Sequence, residues 1–354
     1  MAYKTKKVRV GNIFVGGGES VKIQSMCTSK TSDIDATVKQ IISLQDVGCE
    51  MIRVSVLDEE DACAIGKIKT FIKIPIVADI HFSCKLAVLA IENGADKVRV
   101  NPGNIGGERE IKFVADCIKS HGIPVRVGAN TGSIEKQFLE KFGRNENSLV
   151  ESAINSVKTF EKYGVEDIVV SVKASDVPLT VKAYRLLASC TDRPLHIGVT
   201  EAGVGQMAVV KSSAALGALL IDGIGDTLRI SITDDPVKEI TAAKTLLRAV
   251  GSDKNFVNVI SCPTCGRCQW NSMALAKKVA AFTENIGKKL KIAVMGCVVN
   301  GPGEAADCDI GIAGAKDYCV IFKGGEIIKK ISAQDAEEEF FKEINALLND
   351  KPNY

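Results

Sequence analysis

Residues 97–103 read KVRVNPG, and the pattern inside them recurs as I-R-V-S at 52–55, V-R-V-G at 125–128 and L-R-I-S at 228–231. Each is an aliphatic run with one arginine, followed two places later by a small or polar residue. Side chains alternate across a strand, so the arginine and that residue share one face and the Val, Ile or Leu neighbours take the other. The same kind of run appears eight times: VKIQSMC (21–27), MIRVSV (51–56), IPIVADI (74–80), KVRVNPG (97–103), PVRVGAN (124–130), IVVSVKA (168–174), PLHIGVT (194–200) and TLRISIT (227–233). Between the runs lie helical patterns such as DIDATVKQIISLQDVG (33–48), where Ile34, Val38 and Ile41 share a face and Gly48 supplies the stop. Eight strands alternating with helices predict a closed (β/α)8 barrel, with VRVGNIFVGG (8–17) as a hairpin before it. A doubly wound open sheet is the second reading. It is disfavoured because no GxGxxG opens a helix after a first strand; GIGD at 223–226 is only a fragment of that pattern.

The barrel pattern leaves about a hundred residues over. After a helix in ITAAKTLLRAV (240–250), the polar stretch GSDKN (251–255) reads as a linker, which sets the expected domains at 1–252 and 253–354. The second is expected to be α+β: strand VNVIS, a cysteine-rich turn, a helix over 272–286, strand KIAVMGC, a glycine-rich turn, a hairpin around FKGGEIIKKI and a last helix. In that helix Ala336, Phe340, Ile344, Leu347 and Leu348 share a face, and Ser332 with Asp335 reads as a capping box.

Arg53, Arg99, Arg126, Lys173 and Arg229 all fall toward the carboxyl ends of their strands. An inward-facing guanidinium in a barrel loses its hydration and needs an anionic partner, so four of them converging with a lysine predict a bound phosphate or diphosphate. Asp79, His81, Asn101, Asn130, Glu201 and Ser231 fall at the same ends, where the chemistry of this fold is placed. NTGS (130–133) is expected to offer backbone N–H groups to the anion as well. The net charge is +2, from 45 basic and 43 acidic residues, so the overall signature of a nucleic-acid binder is missing. The N-terminal MAYKTKKVRVGNIF has no apolar leader core, and no run is long enough for a membrane span; the expected location is the cytoplasm.

Twelve cysteines in a reducing compartment read as buried apolar groups, metal ligands or redox groups rather than as disulfides. Six of them, Cys262, Cys265, Cys268, Cys297, Cys308 and Cys319, crowd into the second domain. The run ISCPTCGRCQW (260–270) spaces its first three thiols as in a bacterial ferredoxin, but Ser272 breaks the pattern where the fourth would stand. Structural zinc needs a fourth thiolate or imidazole, and no histidine follows His196. Spacing alone leaves an iron–sulfur cluster, zinc and incidental thiols open.

SCPTCGR (261–267), MGCVVNGPGEA (295–305) and RVNPGN (99–104), supported by KIQSMCTSKTSD (22–33) and GVTEAG (198–203), resemble the iron–sulfur 4-hydroxy-3-methylbut-2-enyl diphosphate synthases of the methylerythritol phosphate route to isoprenoids. The resemblance covers essentially the whole chain, in the bacterial two-domain form. It implies a barrel joined to a domain similar to a module of sulfite and nitrite reductases, and a 4Fe-4S cluster held at Cys262, Cys265, Cys297 and Glu304. The implied reaction opens 2-C-methyl-D-erythritol 2,4-cyclodiphosphate reductively, with two electrons from a flavodoxin or ferredoxin type donor and loss of water. It further implies a homodimer in which the barrel of one subunit faces the cluster domain of the other.

On this resemblance Arg53, Arg99, Arg126, Lys173, Arg229 and Ser231 hold the diphosphate, while Asp79, Asn101, Asn130 and Glu201 orient the ring. Glu201 would donate a proton, and Glu304 would cap one iron and yield it to substrate oxygen. Cys268 and Cys308 are expected to be spare thiols beside the site. The rival readings are a phosphate-binding transferase barrel with a structural zinc domain, similar to pterin-binding synthases, and a non-catalytic electron-transfer or metal-sensing protein.

Overall fold

The structure, a computed structural model, describes residues 4–350; the first three residues of the N-terminal stretch considered above for a leader lie outside it. The chain divides into two compact units, Met1–Ser252 and Asp253–Tyr354.

In the first unit a hairpin, β1 (Val8–Val10) and β2 (Ile13–Val15), precedes eight parallel strands: β3 (Lys22–Met26), β4 (Met51–Val56), β5 (Ile76–Ile80), β6 (Lys97–Arg99), β7 (Val125–Asn130), β8 (Ile168–Lys173), β9 (His196–Gly198) and β10 (Thr227–Arg229). Their order is β8-β7-β6-β5-β4-β3-β10-β9. The ends meet through a parallel bridge between Val170 and Leu195, where the Val170 N–H donates to Pro194 O at 2.8 Å. The ring is nearly closed, as the alternation of runs predicts.

Several helices start where a short polar side chain can satisfy their first free N–H groups. Asp33 accepts from Ala36 N, Asp58 from Asp61 N and Asp176 from Leu179 N. The outward rows of the strands, such as Ile52, Val54 and Val56, pack beneath those helices in the main core. The inward rows differ from one end of the barrel to the other. At the amino ends Met51, Val77 and Val169 pack against Val8, Val10 and Val15, so the hairpin plugs the barrel floor with aliphatic side chains. Above that floor the inward row turns polar and cationic.

Some sequence-drawn strands overrun the observed ones. The sixth ladder stops at Arg99 because the next residues form a turn, with Asn104 N–H donating to Asn101 O at 2.9 Å, and Pro102 has no N–H to give. A helix at Lys136–Phe142 sits in a stretch for which the sequence suggested no element.

The second unit is one five-stranded sheet in the order β11 (Val257–Ser261), β12 (Leu290–Met295), β13 (Ile310–Gly314), β14 (Tyr318–Lys323), β15 (Glu326–Ser332). β11, β12 and β13 run parallel, and β13, β14 and β15 antiparallel. The helices Ser272–Thr283 and Ala336–Asn349 cover one face through Leu275, Val279, Phe340 and Ile344. The other face carries Ala293, Met295, Ala313 and Phe322 under the short helix Gly301–Glu304. Gly301 is what lets that turn lie so close: a Cβ there would stand 2.8 Å from Met295 Cβ and 2.9 Å from Ala313 Cβ.

The expected capping box of the last helix does not form. Asp335 makes no side-chain cap bond, and Ser332 Oγ accepts from Gln334 N–H at 3.1 Å because Ser332 ends β15 rather than preceding the helix directly. β13 was not drawn from sequence either; its GIAG composition lacks the bulky β-branched density of the other runs. Among the described residues no helix is long and apolar enough to cross a membrane.

Candidate active site

The parallel registers line up the inward cations. Met26 pairs with Arg53, Ser55 with Asp79, Asp79 with Arg99, Arg99 with Arg126, Asn130 with Lys173 and Arg229 with Gly198. Asp79, 1% exposed, is the hub of this group. Its carboxylate lies 3.6 Å from Arg53 Nη2, 3.3 Å from Arg99 Nη1 and 3.2 Å from His81 Nε2. Burial alone would raise the Asp79 carboxyl, but Arg53, His81, Arg99 and Arg126 together hold it well below the usual carboxylate range. Across the barrel Arg229 makes a forked contact with Glu239, at 3.2 and 3.3 Å, and the Glu239 carboxylate also accepts from Ile232 N–H and Ser25 Oγ. Glu239 opens onto the interior from the helix Pro236–Ala249, and the sequence reading missed it because nothing in a helix pattern marks a glutamate as inward.

The remaining cations are not balanced. Arg126 is 2% exposed and its Nε and Nη1 have no hydrogen-bond partner. Burial, then repulsion from Arg53 and Arg99, pushes its guanidinium well below the usual range. Burial also lowers Arg53, to about 10, which leaves it charged at neutral pH. Lys97, a sixth inward cation two residues before Arg99, touches Met51 Sδ at 3.0 Å and finds no carboxylate among the described residues. Two carboxylates therefore face four arginines and two lysines in the barrel interior, and burial with the neighbouring arginines pushes Lys97 and Lys173 well below their ordinary value. Such an excess strongly favours an anion with several oxygens, since each added oxygen replaces hydration that burial has removed.

Lys173 is held by a chain of buried groups. Its Nζ lies 3.2 Å from His196 Nε2, His196 Nδ1 lies 2.8 Å from Thr227 Oγ1, and Tyr184 OH donates to His196 O at 2.6 Å. An ammonium has only donors, so with Lys173 charged the imidazole accepts at Nε2 and carries its proton on Nδ1, toward Thr227. Gly198 makes the room. A Cβ there would stand 2.8 Å from Lys173 Nζ and 3.0 Å from Arg229 O. Gly198→Ala should weaken pyrophosphate binding about tenfold, or ~1.4 kcal/mol, in a calorimetric titration. Equal affinity would show that Lys173 has no part in anion binding.

Burial, then Lys173 and Arg126, pushes His196 well below its ordinary value. The unfolded chain therefore takes up a proton near pH 6.5 that the folded chain refuses, and stability rises with pH across that range. Below about pH 6.5 the unfolding free energy should fall by about 1.4 kcal/mol per pH unit from this group alone. Urea midpoints that stay flat between pH 7.5 and 5.5 would contradict the buried, neutral imidazole.

The other sequence-chosen residues lie around the barrel rim with freer side chains. Asn101 Oδ1 accepts from Gly103 N–H at 3.1 Å. The Asn130 side chain, Ser231 and the Glu201 carboxyl make no hydrogen bond among the described residues. Glu201 is exposed and has φ 54, in the left-handed region that a side chain rarely adopts. The expectation that NTGS offers a row of N–H groups needs correcting. Asn130 N–H goes to Ser133 Oγ, Thr131 N–H to Lys173 O and Ser133 N–H to Asn130 O, so three of the four donors are taken by the turn and the neighbouring strand, and only the Gly132 N–H has no partner among the described residues.

In the second unit the thiols gather at the carboxyl ends of two adjacent parallel strands. Cys262 follows β11, Cys297 stands just beyond β12, and Glu304 closes the short helix after it. Gly296 N–H donates to Cys262 Sγ at 3.0 Å, and Cys265 is exposed in the loop. Soft sulfur donors on neighbouring loops, one of them already taking a backbone N–H, with one carboxylate on the short helix that follows Cys297, fit an iron–sulfur cluster by their chemistry. Among the described residues no three His, Cys, Asp or Glu side chains close on a single point as ligands of one metal ion do. The ligands of a cluster bind different irons and so stand apart.

Cys268 Sγ lies 3.2 Å from Trp270 O and 3.3 Å from Ser272 Oγ, so its thiol is hydrogen-bonded locally. Cys308 is buried under the glycine-rich turn, and burial pushes its thiol up.

Comparison with known proteins gives the same two-part division. The model of the GcpE TIM-barrel domain matches residues 5–244, and that of the GcpE protein C-terminal domain matches residues 258–346. The chain is similar to the 4-hydroxy-3-methylbut-2-en-1-yl diphosphate synthase (flavodoxin) of Caldicellulosiruptor saccharolyticus, at 51% identity over 344 residues, 97% of this chain and 99% of the relative. It is likewise similar to that of Ruminiclostridium cellulolyticum, at 48% identity over 345 residues, 97% of this chain and 98% of the relative. Among solved structures it is similar to the 7,8-dihydropteroate synthase of Vibrio fischeri, with TM-score 0.51 and 13% identity, covering 70% of this chain and 99% of that one. That last likeness is one of barrel fold alone.

Proposed function

The chain belongs to the GcpE family, and from that membership we propose that it performs the reaction for which its relatives are named. It is an oxidoreductase of isoprenoid biosynthesis that makes 4-hydroxy-3-methylbut-2-enyl diphosphate from 2-C-methyl-D-erythritol 2,4-cyclodiphosphate. The single observation that carries the reading is the barrel interior, where six inward basic side chains meet two carboxylates and Arg126 keeps two unpartnered nitrogens. A compact diphosphate supplies the missing oxygens.

Arg53, Arg99, Arg126, Lys173 and Arg229 anchor the diphosphate, with Ser231 as a neutral donor at the rim. Asp79 keeps Arg53 and Arg99 aligned, and Asn101, Asn130 and Glu201 meet the ring and its hydroxyls. Glu201 gives the proton that lets a hydroxyl leave as water. Cys262, Cys265, Cys297 and Glu304 would hold a 4Fe-4S cluster, which supplies the two electrons. Each breaking carbon–oxygen bond sends its electron pair away with oxygen, so the incoming pair is what the product keeps in its double bond. The relatives' names pair the activity with flavodoxin, and we take flavodoxin as the donor, acting on a cytoplasmic homodimer.

A phosphate-binding transferase with structural zinc is the reading to be beaten. Iron, acid-labile sulfide and zinc per chain, measured on protein purified without oxygen, separate the two. About four irons and four sulfides, with a broad visible absorption that bleaches on reduction, are expected for the cluster ligated at these positions. One zinc in a colourless protein, unchanged after anaerobic reconstitution, overturns it.

A further inference from the structure

Beside Cys262, on the helix side of the second unit's sheet, lies a groove of about 470 Å³. One wall is the end of β11 with Cys262, Pro263 and Thr264; the other is the helix Ser272–Thr283, through Met273 and Lys277. Three features set it apart. Its lining is mostly apolar, and Met273 stands 55% exposed beside it with no partner covering it. The one charged residue in its lining is Lys277, and from Ser261 to Thr283 the chain has Arg267, Lys277 and Lys278 and no Asp or Glu. Arg267 and Lys277 make no ion pair among the described residues, whereas Lys278 is paired with Glu337. Finally, the groove is lined in part by Cys262, a residue that the proposed function places on the cluster.

We propose that this groove is where the electron donor docks, and that the donor is a small acidic flavoprotein, which lays an exposed flavin edge against Met273 beside Cys262 with a carboxylate opposite Lys277. The assignment rests on the cluster reading above and deepens it by naming where electrons enter. An apolar floor gives close contact without a hydrogen-bond code, and a flexible methionine adapts to a planar ring. The unpaired Lys277 on the groove wall steers an acidic partner and fixes its approach; such charges act chiefly on the rate of association and on its sensitivity to salt. A transient partner that must leave after giving an electron is well served by a small contact of this kind.

The test compares two reductants on the anaerobically reconstituted full-length protein. Turnover of the cyclodiphosphate is driven either by dithionite with methyl viologen, which needs no docking surface, or by reduced flavodoxin over a range of concentrations and of salt. In Lys277→Glu and in Met273→Glu, kcat/KM for flavodoxin should fall at least tenfold and the salt dependence should flatten, while viologen-driven turnover and the visible spectrum stay unchanged. Flavodoxin kinetics that match the unsubstituted protein in both variants, with viologen-driven turnover intact, overturn the docking site and leave the reaction standing. Absence of viologen-driven turnover in the unsubstituted, cluster-loaded protein is instead a failure of the reaction assignment. An equal loss with both reductants would mean that the helix supports the cluster rather than the partner, and that too overturns the proposal.

Discussion

Glu201→Gln should lower kcat with viologen or flavodoxin as reductant by a factor of about 10²–10⁴, the usual contribution of a positioned proton donor, with KM and the visible spectrum little changed. The carboxyl stands at the carboxyl end of β9, exposed and without a hydrogen-bond partner among the described residues, on a backbone held at φ 54. A side chain in that region carries strain of about 1–3 kcal/mol, which a helix-capping or surface role would not require. The glutamine keeps size and polarity and removes only the transferable proton. A kcat within a factor of two of the parent would take Glu201 out of the chemistry.

Asp79→Asn should destabilise the substrate-free protein by about 3–5 kcal/mol, the cost of removing one partner from a buried ion pair. One carboxylate serves Arg53, Arg99 and His81, and Arg126 lies within its field. With the asparagine those cations face one another uncompensated, so pyrophosphate should raise the thermal midpoint of the variant more than that of the parent. Urea unfolding with and without pyrophosphate measures both. Equal stability of the two proteins without anion would mean that the cations are not held together by Asp79. The pH sign agrees: a carboxyl held below its ordinary range contributes stability that is present above about pH 4 and is lost as pH falls through the folded value.

Much of this architecture is written in the periodicity of the chain. The strand cores at 51–56, 125–130 and 168–173 match the aliphatic runs because strands buried on both faces need β-branched residues along most of their length. The arginines could be placed inward from alternation alone, since Ile52 and Val54 needed the helix side. What alternation does not encode is the partner of each cation. Met26 is brought to Arg229 only by the closure of β3 on β10, and Glu239 by the turn that folds the next helix back over the end of β10. The role of NTGS was misjudged for a related reason: a turn sequence advertises N–H groups but not whether its own serine and the next strand already use them. In the second unit the thiols could be counted but not paired with iron by spacing, because Cys262 and Cys297 meet only through the parallel register of β11 and β12.

The most direct test is single-pot turnover: the full chain, reconstituted with iron and sulfide without oxygen, given 2-C-methyl-D-erythritol 2,4-cyclodiphosphate and excess reduced methyl viologen, with the product followed by phosphorus NMR. Consumption of two electrons per cyclodiphosphate, with the cyclic diphosphate signals replaced by those of a linear allylic diphosphate, is the predicted result. A fully loaded protein that binds the cyclodiphosphate but consumes no electrons and leaves its ring closed would contradict the account at its centre.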